Sequence, residues 1–215
     1  MPAVDAPKKR IGPILRALHV TYPDATCALR HENALQLLVA TILSAQCTDA
    51  RVNLVTKPLF AKYRTAADFA NADPLAFQAE IRSAGFFRAK TKSILGAAKR
   101  LVERHGGEVP ATMEELVELP GVARKTANVV LGTWFKKAAG VVVDTHVERL
   151  SRRLKLTREK TPVKIEADLM KLVPEADWIA FSHMLIWHGR RVCSARSPRC
   201  DACSLARWCP SKGKV

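Results

Sequence analysis

Apolar residues recur along most of the chain at the three- and four-residue spacing of a helix face. Ile11, Ile14, Leu15 and Leu18, with Tyr22 beyond them, mark a first helix that Pro23 stops, and Leu35, Leu38, Val39, Ile42 and Leu43 mark a second. The pattern predicts further helices over about 49–56, 74–82, 89–104, 112–119, 124–136, 144–155, 163–172 and 177–188, with Gly, Pro, Asn and Asp clusters between them. Strand signals are nearly absent. The one β-branched run, Val141-Val142-Val143, has no second run to pair with and reads as a buried extended connection. The fold class expected is all-α. The longest uncharged stretch, 33–48, holds 16 residues and includes Gln36, Ser44 and Gln46. It is too short and too polar for a bilayer span, so it reads as a buried helix and no membrane partner is expected.

A length of 215 residues with 48% hydrophobic positions suits one or two domains with a real core. Lys and Arg total 35 against 20 Asp and Glu, a formal charge of +15, which points to a polyanionic partner. The N-terminal MPAVDAPKKR carries charge with no apolar segment behind it, so no export or organellar address is expected and the location implied is the cytoplasm, with the nucleoid. Four of the six cysteines, Cys193, Cys200, Cys203 and Cys209, fall at C-x6-C-x2-C-x5-C spacing. In a reducing compartment such a set binds metal, and by chemistry alone zinc and an iron–sulfur cube are both allowed. The last 35 residues carry seven Lys or Arg and one acidic residue, so the densest positive charge coincides with this loop.

The most informative stretch is 112–135, TMEELVELPGVARKTANVVLGTWF. Thr112 and Glu115 match a capping box, Pro120-Gly121 ends a short helix, and a second begins near Arg124 after a turn of a few residues. Such a turn aims backbone N–H groups at solvent, where a phosphate accepts from them; Gly121, Ala123, Arg124 and Thr126 are the residues placed on DNA. A plain helical corner is the alternative for a bare L-P-G.

LPGVARKTANVV, together with VDTHV at 143–147 and the cysteine spacing, resembles the endonuclease III family of helix-hairpin-helix DNA glycosylases, over about Ile11 to Cys209. The resemblance implies two helical domains with a DNA-binding cleft between them. One is a six-helix domain over 27–136 that carries the hairpin. The other is discontinuous, 1–26 plus 137–215, and holds a [4Fe–4S] cluster on loop 193–209. It implies a bifunctional glycosylase and abasic-site lyase, monomeric, acting on oxidised pyrimidines and abasic sites in double-stranded DNA. Lys125 becomes the nucleophile, because a neutral amine can attack the sugar and form a Schiff base. The family usually has glycine where this chain has Ala123, a steric cost if that position needs a positive φ.

Asp144 follows the valine run and opens a helix, as an N-cap does, and a capping carboxylate is a fixed negative charge. The resemblance makes it the second catalytic group, beside an oxocarbenium-like sugar. His146 either lines a base pocket or packs, and Ser44 is placed toward the pocket. Turning a nucleotide out of a duplex leaves a gap to fill. LLVATILSAQCTD at 37–49 matches a family string in which Gln46 enters the helix, and Phe86 stands where the family has a leucine-type wedge. Arg88, Lys90 and Lys92 are candidate phosphate contacts, Phe87 reads as core, and Cys27 and Cys47 as small buried hydrophobes. Arg190, Arg191, Arg196, Arg199 and Arg207 offset the negative charge of a thiolate cluster, and Arg196 and Arg199 are placed on DNA. A monofunctional glycosylase and a DNA-binding sensor without chemistry are the rival readings; the presence of both Lys125 and Asp144 argues against each.

Overall fold

Short polar residues start several of the helices, each accepting from a first-turn amide that has no partner inside its own helix. Asn33 accepts from the Gln36 N–H, Thr48 from Arg51 and Asp73 from Ala76, while Thr65 and Asp68 form a reciprocal capping box. The computed structural model describes residues 6–214. Its helices are α1 (Pro7–Thr21), α2 (Ala34–Leu43), α3 (Asp49–Lys62), α4 (Ala66–Ala70), α5 (Pro74–Glu80), α6 (Phe87–His105), α7 (Met113–Val117), α8 (Arg124–Thr133), α9 (Thr145–Arg153), α10 (Pro162–Leu172) and α11 (Trp178–Arg191), with short 3-10 turns at 82–84, 175–177 and 206–208. There is no strand among the described residues, and Val141 and Val143 are buried in an extended connection. Residues 1–5, the start of the segment read for an address, lie outside the described residues.

The helices depart from the hydrophobic pattern in three places. Helix α3 continues through Pro58 to Lys62, because Val52, Val55, Thr56 and Leu59 keep one buried face. Helix α4 was not expected; its five residues are too few to show a period, and the capping box and buried Phe69 hold it. Helix α8 stops at Thr133 although Trp134 and Phe135 continue the apolar run. Lys136 turns back at φ +56° and the Lys137 N–H reaches the Leu131 carbonyl at 2.9 Å, closing the end.

The described chain forms two compact units. One is Cys27–Ala139; the other joins the described residues up to Thr26 with those from Gly140 on. The first has a core of Leu37, Leu38, Leu43, Phe69, Phe77, Ile81, Ile94, Leu101 and Leu116. The second is built on Ile14, Leu18, Val147, Leu150, Ile165, Leu169, Phe181 and Leu185. No helix of the described residues is long and apolar enough to cross a membrane.

Candidate active site and cysteine loop

The α7–α8 hairpin begins with Thr112, whose Oγ1 accepts from the Glu115 N–H and donates to the Glu115 carboxylate at 2.5 Å. Between the helices the Val122 N–H returns to the Leu119 carbonyl at 3.0 Å, and Gly121 stands at φ +76°. Glycine is required there twice over. A Cβ would meet the left-handed penalty and would lie 2.4 Å from the Ser93 Cβ on α6. Ala123 has φ −90° and ψ 168°, extended backbone open to any residue, so the alanine carries no steric cost. As the N-cap it offers α8 no side-chain acceptor. Lys125, in that turn, is exposed, and Thr126 is half-buried.

Two further loops of the same unit carry the other expected contacts. Ser44 ends α2, half-buried, its hydroxyl donating to the Thr41 carbonyl at 2.8 Å. Gln46 follows, exposed and left-handed at φ +52°. Phe86 has φ +46° and is 63% exposed, while Phe87 is half-buried against the core. Non-glycine residues in this region each cost about 1–2 kcal/mol, and both lie at loop tips held by rigid helices. Arg88 and Lys92 are exposed. Lys90 is not a phosphate contact. It is 4% exposed and its Nζ donates to the Leu43 and Ala84 carbonyls at 2.7 and 2.8 Å. Burial pushes its pKa down, with Cys47 acting the other way. Helical spacing missed it because the side chain runs back under the turn before α6. Cys27 and Cys47 are half-buried against the core rather than fully inside it.

In the other unit Asp144 caps α9, its Oδ1 accepting from the His146 and Val147 N–H groups at 2.8 Å each. The carboxylate is thus fixed by backbone rather than by a rotamer alone. His146 packs on Gly189 of α11, where a Cβ would come within 2.8 Å of its Nδ1, and it lies 3.2 Å from an Arg149 amine. Burial lowers its pKa, Asp144 raises it, and Arg149 and Arg190 lower it further. His146 is half-buried, one side packed on α11.

The four cysteines of loop 193–209 line one small, half-open pocket, whose wall includes Val192, Pro198, Arg199 and Lys212. No three His, Cys, Asp or Glu among the described residues converge on a single ion's position. Burial pushes the Cys203 and Cys209 thiols up, and the neighbouring cysteines push the same way. Two side chains from outside the loop reach its sulfurs, and neither carries a spacing signal. Arg153 of α9 donates to the Cys193 Sγ at 3.2 Å and to the Ser194 and Ala195 carbonyls at 2.7 and 2.8 Å. His188 of α11, 2% exposed, lies with Nε2 3.3 Å from the Cys203 Sγ and Nδ1 2.8 Å from the Tyr22 hydroxyl. Burial pushes its pKa down to about 4, so the neutral ring can donate to sulfur and accept from the tyrosine. Arg10, on α1, donates to the Leu154, Lys155 and Trp208 carbonyls, tying α9 to the end of the loop. Arg196 and Arg199 are exposed, and Arg199 donates to the Arg191 carbonyl.

A family model described as HhH-GPD superfamily base excision DNA repair protein matches residues 39–175. Endonuclease III of Synechocystis sp. is 56% identical over 204 residues, 95% of this chain and 93% of its own. The chain belongs to the endonuclease III family. Endonuclease III of Bacillus subtilis is 49% identical over 189 residues, 87% of this chain and 86% of its own. A solved non-covalent endonuclease III–DNA complex has a TM-score of 0.91 at 43% identity, covering 95% of this chain and 96% of that one. A trapped endonuclease III–DNA covalent intermediate gives the same values. A thermostable thymine-DNA glycosylase, 21% identical with a TM-score of 0.87 over 98% of this chain and 100% of that one, shares the fold. As an endonuclease III family member, the chain is a DNA glycosylase and abasic-site lyase of base excision repair.

Proposed function

We propose that the chain removes oxidised pyrimidines from double-stranded DNA, with Lys125 as nucleophile and Asp144 as the fixed anion. Lys125 attacks C1′, the base departs, and the opened sugar is held as an imine. β-Elimination then breaks the C3′–O bond, and water releases the lysine. Asp144 supports positive charge on the sugar as the glycosidic bond breaks. The hairpin amides and Gly121, with Arg124, Thr126, Arg88, Arg196 and Arg199, hold phosphates without reading sequence. Gln46 and Phe86 fill the opened duplex, and Ser44 faces the extruded base. The carrying observation is Lys125, an exposed amine in the first helical turn after a hairpin whose conformation excludes any residue but glycine at position 121.

Cys193, Cys200, Cys203 and Cys209 hold a [4Fe–4S] cluster in this reading. Four cysteine thiols lining one pocket supply the four thiolates that a [4Fe–4S] cluster takes, and their C-x6-C-x2-C-x5-C spacing resembles the family's cluster loop. When bound, the group cross-links the loop and keeps its ligands as thiolates. Arg153 and His188 satisfy the sulfurs, and Arg199 supplies positive charge at the pocket wall. The protein works as a cytoplasmic monomer.

Borohydride reduction on a duplex containing thymine glycol tests the assignment. The wild-type chain should form a covalent adduct and cut the strand, and Lys125→Gln should bind the duplex but do neither. An adduct that survives in Lys125→Gln would remove Lys125 as nucleophile. Release of the base from an intact strand by the wild type would make the enzyme monofunctional.

A further inference from the structure

Lys90 is the buried cation of the Cys27–Ala139 unit whose use the repair reaction does not explain. Its two acceptors are informative. Leu43 is the last residue of α2, three before Gln46, and Ala84 is the last residue of the 3-10 turn at 82–84, two before Phe86. One ammonium therefore grips the carbonyl end of each element from which an exposed, left-handed residue springs. An ammonium is well matched to two such ends, because the last carbonyls of a helix lack intrahelical donors and the α2 dipole places negative charge there. Burying that charge among Leu43, Ala84 and the core is unfavourable compared with a methionine of similar length, so packing alone does not account for it.

We propose that Lys90 is a positioning residue that ties the Gln46 loop to the Phe86 turn, so that both side chains are presented to the duplex as one preformed unit. This rests on the reading that Gln46 and Phe86 enter the opened helix. Among the described residues no second side chain bridges the two loops in this way: the Ser44 hydroxyl bonds back within its own helix, and Phe86 caps α6 without a side-chain hydrogen bond. Loss of the tie leaves two carbonyls without their donor and frees two strained tips to relax independently. Lesion engagement should therefore fall while phosphate binding at the hairpin persists.

The test compares binding of the metal-loaded full chain to an undamaged duplex and to one carrying a tetrahydrofuran abasic analogue opposite 2-aminopurine. Lys90→Met should bind undamaged duplex as the wild type does, and should lose about tenfold in affinity for the analogue together with the 2-aminopurine fluorescence change. Lys90→Arg should recover part of both. Combined with Phe86→Ala or Gln46→Ala, Lys90→Met should add little further loss, because all three act through one unit. Full discrimination in Lys90→Met, or losses that multiply in the double variants, overturns the proposal, since a merely structural lysine behaves that way. If Lys90→Met does not fold, Lys90→Arg carries the same cycle with the same expected sign. Should Phe86→Ala and Gln46→Ala both keep full discrimination, the insertion reading falls and takes the role of Lys90 with it. If they lose discrimination while Lys90→Met keeps it, the tie alone falls.

Discussion

The Cys27–Ala139 unit holds its functional residues with backbone geometry on an apolar base. Gln46, Phe86 and Gly121 all sit at positive φ on turns between helices that bury Leu37, Leu43, Ile94 and Leu116. The other unit relies on polar ties. Arg10, Arg149, Arg153 and His188 reach carbonyls and sulfurs, and Asp144 is fixed by two amides. Its cysteine loop has regular structure only at the 3-10 turn 206–208, so its order depends on partners that the loop's own sequence does not contain. A strained turn on a full core needs nothing bound to keep its shape, whereas a loop whose four cysteines line one pocket would gain order from the group proposed to bind there.

The largest effect that sharpens this contrast is metal loss. Replacing Cys203 by alanine should abolish the absorbance near 400 nm of a bound cluster and destabilise its unit by roughly 5 kcal/mol. Hydrogen exchange should show α9 and α11 opening while α2 and α6 stay protected; equal opening of all four would break the contrast. Next comes Gly121→Ala, which should cost about 2–4 kcal/mol in urea unfolding from combined strain and overlap with Ser93. Adding Ser93→Gly should return the overlap part and leave the strain. The smallest effect is Arg196→Ala, within about 0.5 kcal/mol of wild-type stability because the side chain is exposed. Its affinity for all duplexes should fall alike, with the salt slope reduced by about 1.

The helical course of the chain was legible because apolar spacing reports one buried face at a time, and α2, α6 and α8 each have such a face. Where another force decides, spacing is silent. Helix α4 is fixed by two side chains, and α8 ends against its own apolar pattern because Lys136 adopts a left-handed turn. The four cysteines, Lys125 and Asp144 stood out as residue types in a local string. Lys90 was misread for the same reason that made Arg88 a fair candidate: a basic run looks solvated until the fold brings two carbonyls to one member of it. Arg153 and His188 could not have been found locally, since their partners are 40 and 15 residues away. Ala123 carries no penalty because its backbone is extended, a conformation that residue type alone does not reveal.

That alanine limits how sturdy the molecule can become. A serine, threonine or aspartate in its place would cap α8 and gain about 1 kcal/mol, by putting an oxygen on first-turn amides that have no side-chain acceptor now. The same oxygen would compete with the polymer the enzyme must grip. Selection for heat tolerance and selection for hold on nucleic acid therefore pull in opposite directions at one methyl group.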